Sequence, residues 1–226
     1  MSEDAAVAAR QPAALPWGDA HPQRADLLLM AAITLSGLYA LASIPLTPTL
    51  VGSHPVLLEL LKGSMAGMVT MGALARVGEA SLLVAVLAAV PGLMMFHWIY
   101  WWAGQRWGKR AIDLFLGSHP KAGARTHRLE RLIHRFGWLA MVIVYFQPVP
   151  NPLVYAAAGW TGMRLRTFLV LDLIGSLLWI GLCVGLGWAL GQNAVDVARG
   201  IGRYALYITV ALVVAIIARQ WWRSSR

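Results

Sequence analysis

Three ionisable side chains sit inside stretches that are otherwise apolar: Glu59, His97 and Asp172. A charged group at membrane depth is costly and marks a functional position by default, while an imidazole exchanges protons near neutral pH. The three are therefore candidates for proton coupling. Each also has a quieter reading. Lys62 follows Glu59 at a spacing that lets the two pair on one helical face. His97 can cap a neighbouring carbonyl near a membrane edge, and Asp172 can be a hydrogen-bonded structural group. The other conspicuous polar run is Gln147-Pro148-Val149-Pro150-Asn151-Pro152. Its prolines remove backbone donors and break any helix there, and Gln147 and Asn151 carry side chains able to cap the broken ends.

Enzyme chemistry is not indicated. There is no Ser/His/Asp order in a motif context, no HExxH, and no Gly-rich phosphate loop between strand and helix. His119, His127 and His134 lie in a basic stretch without convincing acidic partners. The single cysteine, Cys183, can form no internal disulfide, and no Cys/His spacing suggests a metal, so no cofactor is expected.

The elements that must hold these residues are dictated by composition. The 226 residues are 58% hydrophobic and only 13% charged, with a mean hydropathy of +0.61, against about 25% charge in an ordinary soluble domain. The apolar residues come in long blocks, the mark of a membrane protein. Four blocks are long enough to span about 30 Å of hydrocarbon: Leu27 to Leu46, Ala80 to Gln105, Phe168 to Leu190 and Tyr204 to Trp221. Two others are broken. Glu59, Lys62, Gly63, Gly67 and Gly72 interrupt Val56 to Leu74, and the proline run interrupts Trp138 to Met163. Irregular backbone at membrane depth is tolerated only where protein or a wet cavity covers it, so each segment reads as a re-entrant hairpin of two short helices.

Charge supports that arrangement. Net charge is +9, and the basic residues cluster between the apolar blocks, eight of them from Arg106 to Arg135. With that loop cytoplasmic and the Pro-rich segment returning on the side it enters, both tails and the Arg164/Arg166 turn are also cytoplasmic. Only Lys62, Arg76, Arg199 and Arg203 then lie elsewhere. Within the loop, Arg125, Arg128, Arg131 and Arg135 recur at helical spacing and read as a surface helix on anionic lipid. Nucleic acid is excluded as a partner, since no aromatic-plus-basic reading face is evident. The expected fold class is an all-α polytopic membrane protein built from inverted repeats of re-entrant hairpin plus transmembrane helix, with about four full spans and two hairpins. Residues 1–26 form a cytoplasmic tail without a signal-peptide core, 27–222 the membrane domain and 223–226 a second tail. The layout resembles transporters whose inverted repeats place a site near the midplane. Small-residue exits at Gly72 and Gly159, and Gly175 in the third block, suit close helix packing.

The run Tyr145-Phe146-Gln147-Pro148-Val149-Pro150-Asn151, followed by Ala158-Gly159, Met163, Phe168, Asp172, Gly175 and Trp179, resembles the signature of DedA membrane proteins, which share the SNARE-associated or VTT domain. Gly92, Tyr100, Gly104, Arg106 and Gly108, and Arg135-Phe136-Gly137, resemble further parts of it. The resemblance covers about residues 56–191. It implies a multi-pass protein of the bacterial cytoplasmic membrane that handles lipid, either phospholipid or undecaprenyl phosphate, with proton coupling. It also implies that Tyr145, Gln147 and Asn151 face substrate, and that Gly72, Pro148, Pro150, Gly159, Gly175 and Trp179 are structural.

The chain departs from the pattern at its charges. Where the family carries an arginine on each side of the Pro-containing core, this chain has Tyr145 and Asn151. The better-placed hairpin carboxylate would fall near Met65, while Glu59 is in a different register. His97 stands where an acidic residue is frequent, and Asp172 where Asn is common. Arginine grips phosphate with a charged, planar fork; Tyr and Asn donate without charge. The expectation is a lipid or polyprenyl-phosphate translocase with a head-group cavity between the two hairpins. The alternatives are a non-transporting structural or interaction member that lost the charged site, and a proton-coupled small-solute transporter.

Overall fold

A computed structural model describes residues 16–17, 21–116, 139–146, 151–204, 207, 210, 211 and 214. The described regular elements are helical. Helix α1 spans Arg24–Ala42, α2 Leu46–Leu50, α3 Pro55–Lys62, α4 Met65–Arg76, α5 Leu82–Met94, α6 His97–Trp107 and α7 Lys109–Leu116. Helix α8 is Ala140–Ile143, followed by a 3-10 turn over Val144–Phe146; then come α9 Asn151–Trp160, α10 Leu165–Leu190 and α11 Gln192–Arg203. Three stretches are long and apolar enough to cross a membrane: Arg24–Ala42, Leu82–Trp107 and Leu165–Leu190. They correspond to the first three blocks expected from hydropathy. Leu27, Leu28, Leu83, Leu87, Val170 and Leu178 are exposed on them. In water such faces would be an aggregation liability; against hydrocarbon they are at home. The fourth expected span lies almost wholly outside the described residues, as do Arg125, Arg128, Arg131 and Arg135, and Gln147, Pro148 and Pro150 of the Pro-rich run.

The described residues divide into two compact units. One comprises residues up to Thr34 together with those from His97 to Asp172; the other comprises Leu35–Phe96 and the residues from Leu173 onward.

In the first unit, α1 opens with a side-chain cap. Asp26 accepts from the Gln23 backbone N–H at 2.9 Å, one half of a capping box, while the Asp26 N–H donates to the Gln23 main-chain carbonyl, also at 2.9 Å, as a turn bond. Helices α6 and α9 meet at contact distance because the residues between them are small. A Cβ at Gly104 would strike the Ala156 carbonyl, and one at Gly159 would strike the Trp101 carbonyl. Leu153 to Gly159 are consecutively buried, so α9 is wrapped on all sides, as an all-round apolar helix must be. Trp101 fixes the far end by donating its indole N–H to the Met163 carbonyl at 3.0 Å. Gly108, at φ 58°, turns the chain from α6 into α7. The expected loop after Arg106 therefore begins as a helix.

In the second unit, the segment read as the first hairpin is two short helices, α3 and α4. At 1.5 Å per residue, their 8 and 12 residues reach about 12 and 18 Å, short of the roughly 30 Å a span requires. The break between them is specified locally. Gly63 ends α3 at φ 56°, and Ser64 caps α4 by accepting from the Gly67 N–H at 3.1 Å. Gly92 of α5 lies against the Glu59 and Leu60 carbonyls of α3. Gly72 of α4 lies against the Val184 carbonyl of α10, and Gly187 of α10 against the Val69 carbonyl of α4. Helices without a hydrophobic driving force between them associate through such close backbone approach. Met68, Met71, Ala85, Ala89, Ile180, Cys183 and Val184 form the core around these contacts, with the half-buried Trp179 against it. Gly175 is buried one turn before Trp179.

Helix α11 was not anticipated. Its charged and polar residues share a helix with Val195 and Ala198, both buried, and Arg199 pairs with Glu79 at 2.6 Å on the exposed side.

Candidate functional site

The first unit gathers three of the residues singled out from sequence. Asp172, on α10, is fully buried. Its carboxylate accepts from His97 Nδ1, 2.9 Å from Oδ2 and 3.1 Å from Oδ1, and from the Tyr145 hydroxyl at 3.0 Å from Oδ1. The Tyr145 hydroxyl is also 3.4 Å from His97 Nδ1. With a carboxylate on that side, the imidazole carries its proton on Nδ1. His97 opens α6, and Tyr145 lies in the 3-10 turn after α8. The three groups come from positions 75 and 27 residues apart.

Aromatic rings set the orientation. Tyr155 of α9 packs at a tilt against His97, with ring centroids 4.4 Å apart and planes 34° apart, and it meets Phe168 edge-on at 5.7 Å. Its buried hydroxyl faces Tyr145 and Asp172 without hydrogen-bond geometry to either. The His97 side chain keeps 12% exposure while Asp172 has none, and Tyr145 is half-buried. A carboxylate, an imidazole and a phenol in mutual contact can hold a proton in more than one place. The carbonyl-capping alternative for His97 is thereby replaced by a carboxylate pairing. Asn151 begins α9, half-buried, and no contact joins it to the cluster among the described residues.

Glu59 lies in the second unit. It is fully buried, and neither carboxyl oxygen has a hydrogen-bond partner among the described residues. The carboxyl rests on Gly67, where a Cβ would collide with Oε1. The expected pairing with Lys62 does not form. The Lys62 ammonium instead donates to the Ser43 carbonyl at 3.3 Å and to the Thr47 hydroxyl at 3.2 Å, tying α3 to the end of α1 and the start of α2. An isolated ionised carboxylate in such a place is too costly to persist, so Glu59 belongs there as the neutral acid.

Sequence reasoning missed two features. Tyr155 carried no signal beyond being an aromatic in an alanine-rich helix. Asp26 was assigned to the tail, yet it is 3% exposed and pairs with Arg106, whose Nε is 2.8 Å from its Oδ1. Its place three residues after the Gln23 cap was the available clue.

The fold and the buried polar cluster define a helical membrane protein with a buried cluster of ionisable side chains. Residues 55–189 match the VTT domain, and the chain belongs to that family, the DedA membrane proteins. The chain is 30% identical to inner membrane protein YabI of Escherichia coli over 207 residues, covering 88% of this chain and 79% of that protein. It is 26% identical over 136 residues to undecaprenyl phosphate transporter A of Staphylococcus aureus, covering 60% and 66% of the two chains. An alkaline phosphatase-like protein of Lactococcus lactis is 23% identical over 151 residues, covering 65% and 71%. No solved structure matches the chain.

Proposed function

We propose that this protein moves a lipid phosphate, a phospholipid or a polyprenyl phosphate, across the bacterial cytoplasmic membrane, and that the His97–Asp172–Tyr145 cluster is where head-group binding is linked to a proton. The observation that carries the reading is a fully buried carboxylate satisfied by two side-chain donors, in a family that includes a protein named as an undecaprenyl phosphate transporter.

In the resting arrangement Asp172 holds both donors. When Asp172 takes up a proton its claim on them weakens. The Nδ1–H of His97 and the hydroxyl of Tyr145 then turn to the phosphate oxygens of an arriving head group. Return of the proton to solvent restores the carboxylate, which reclaims both donors and expels the phosphate. Charge-assisted hydrogen bonds are roughly twice as strong as neutral ones, so the exchange is driven by which anion occupies the centre. Two neutral or singly charged donors replace the family's arginine grip, giving weaker holding and easier release.

In this reading α3 with α4, and the segment containing the Pro-rich run with α9, enter and leave the membrane on one face each. Both termini are cytoplasmic, the four basic residues from Arg125 to Arg135 rest on lipid, and Asn151 and Gln147 contribute to head-group contact. Glu59 is a second proton carrier, poised by burial without a partner. The protein acts without covalent chemistry. The test is reconstitution of the purified chain into liposomes carrying labelled phosphatidylglycerol, phosphatidylethanolamine or a polyprenyl phosphate, with transbilayer movement followed by quenching from outside. Acceleration of at least one lipid by the native chain and its loss in Asp172→Asn supports the reading. No acceleration of any lipid leaves the non-transporting alternative, and release of inorganic phosphate from the lipid favours a phosphatase.

A further inference from the structure

Away from this cluster, the first unit contains a cavity of about 280 Å³ where α1 begins and α6 ends, lined by Trp17, His21, Asp26, Arg106, Trp107 and Arg110 among others. It is large enough for one small head group. We propose that this cavity binds the phosphate of an anionic lipid at the membrane surface, separately from any transported lipid.

The polar groups of the cavity are unequally committed. Asp26 is spent on the protein. Its carboxylate accepts from Arg106 Nε at 2.8 Å, from Arg106 Nη2 at 3.2 Å, and from the Trp107 indole N–H at 2.9 Å. Gln23 Oε1 takes a further bond from Arg106 Nη2. These bonds balance the Arg106 charge and fix its guanidinium plane. Arg110 and His21 are exposed and make no hydrogen bond or ion pair among the described residues. The remaining side-chain inventory is mainly donors: the outer edge of Arg106 and the full fork of Arg110, with the His21 ring able to donate from one nitrogen. A concave site with spare donors and two guanidinium groups against one carboxylate suits an anion.

Position selects a lipid anion. The cavity sits at the start of one membrane-length apolar helix and the end of another, which is head-group level. Trp17 and Trp107 flank it, and indoles gather at that depth. A phosphodiester anchored by its acyl chains is already concentrated there, whereas free phosphate is not.

The test uses the full-length protein in nanodiscs of neutral phosphatidylcholine. Binding is titrated with radiolabelled short-chain phosphatidylglycerol and, in a separate arm, with inorganic phosphate. The variants are Arg110→Gln, the double variant His21→Gln/Arg110→Gln, and the control Arg164→Gln, which removes an exposed charge elsewhere in the same unit. The expected result is saturable phosphatidylglycerol binding that weakens about tenfold in Arg110→Gln and further in the double variant, with Arg164→Gln unchanged. Equal losses in Arg110→Gln and Arg164→Gln would reduce the effect to general surface charge and overturn the site. Inorganic phosphate binding as tightly as the lipid would overturn the lipid assignment in favour of a soluble anion. Neither ligand saturating would overturn both. Because the readout is equilibrium binding, failure of lipid translocation leaves this test unaffected.

Discussion

Replacing Tyr145 with Phe keeps the ring and deletes only the hydroxyl that donates to Asp172 at 3.0 Å. Hydrogen bonds between helices in a membrane average only about 0.6 kcal/mol, with a maximum near 1.7, because the unfolded chain in lipid also finds partners. Here the acceptor is a buried carboxylate, and charge assistance roughly doubles a hydrogen bond. We therefore expect a coupling energy of about 1–2 kcal/mol between Tyr145 and Asp172. The assay is a double-mutant cycle with Tyr145→Phe, Asp172→Asn and the pair, using reversible unfolding in mixed micelles. Each single variant should destabilise, and the double variant should cost less than their sum by that coupling. Asn keeps one carbonyl acceptor, so part of the coupling survives and the low end of the range is the sharper expectation. If the two effects add to within about 0.3–0.5 kcal/mol, the residues act independently and the cluster is not a unit.

Other consequences follow from the same geometry. Gly104→Leu places a Cβ into the Ala156 carbonyl and should cost about 2–3 kcal/mol as an overpacked site, whereas Gly181→Ala, with nothing within 4 Å, should leave the unfolding midpoint unchanged. Glu59→Gln should preserve fold and stability, because Glu59 is held neutral and unpartnered. Glu59→Lys should fail to accumulate in membranes, which quantitative blotting reports. Lys62→Met should lose about 1 kcal/mol with its two donations, measured by the same unfolding assay. In proteoliposomes, Glu59→Gln should flatten the dependence of transport on an imposed pH difference while the rate at uniform pH persists.

The membrane-length helices were legible because hydropathy is a local property: twenty apolar residues in a row suffice. The first broken segment was equally legible, since Gly63 and Ser64 specify the end of one helix and the start of the next within two residues. Lys62 was not. Three residues from Glu59 it had a plausible local partner, but the Ser43 carbonyl and Thr47 hydroxyl, 19 and 15 residues back, compete for the same ammonium. Asp172 and His97 each stood out as costly residues in apolar surroundings, yet nothing along the chain specified that they would meet across 75 residues. Tyr145 drew notice as a substitution for an expected arginine, and its role as a donor to Asp172 became visible only in three dimensions. Helix α11 escaped because a hydropathy reading sees a polar connector where amphipathic spacing buries Val195 and Ala198.

The most direct test of the central claim is transbilayer movement of a labelled lipid phosphate in proteoliposomes, comparing the native chain with Asp172→Asn at matched protein content. The account expects the native chain to accelerate movement and a proton gradient to change its rate, with both effects lost in Asp172→Asn although the variant still folds. Undiminished movement in the folded Asp172→Asn variant would contradict it.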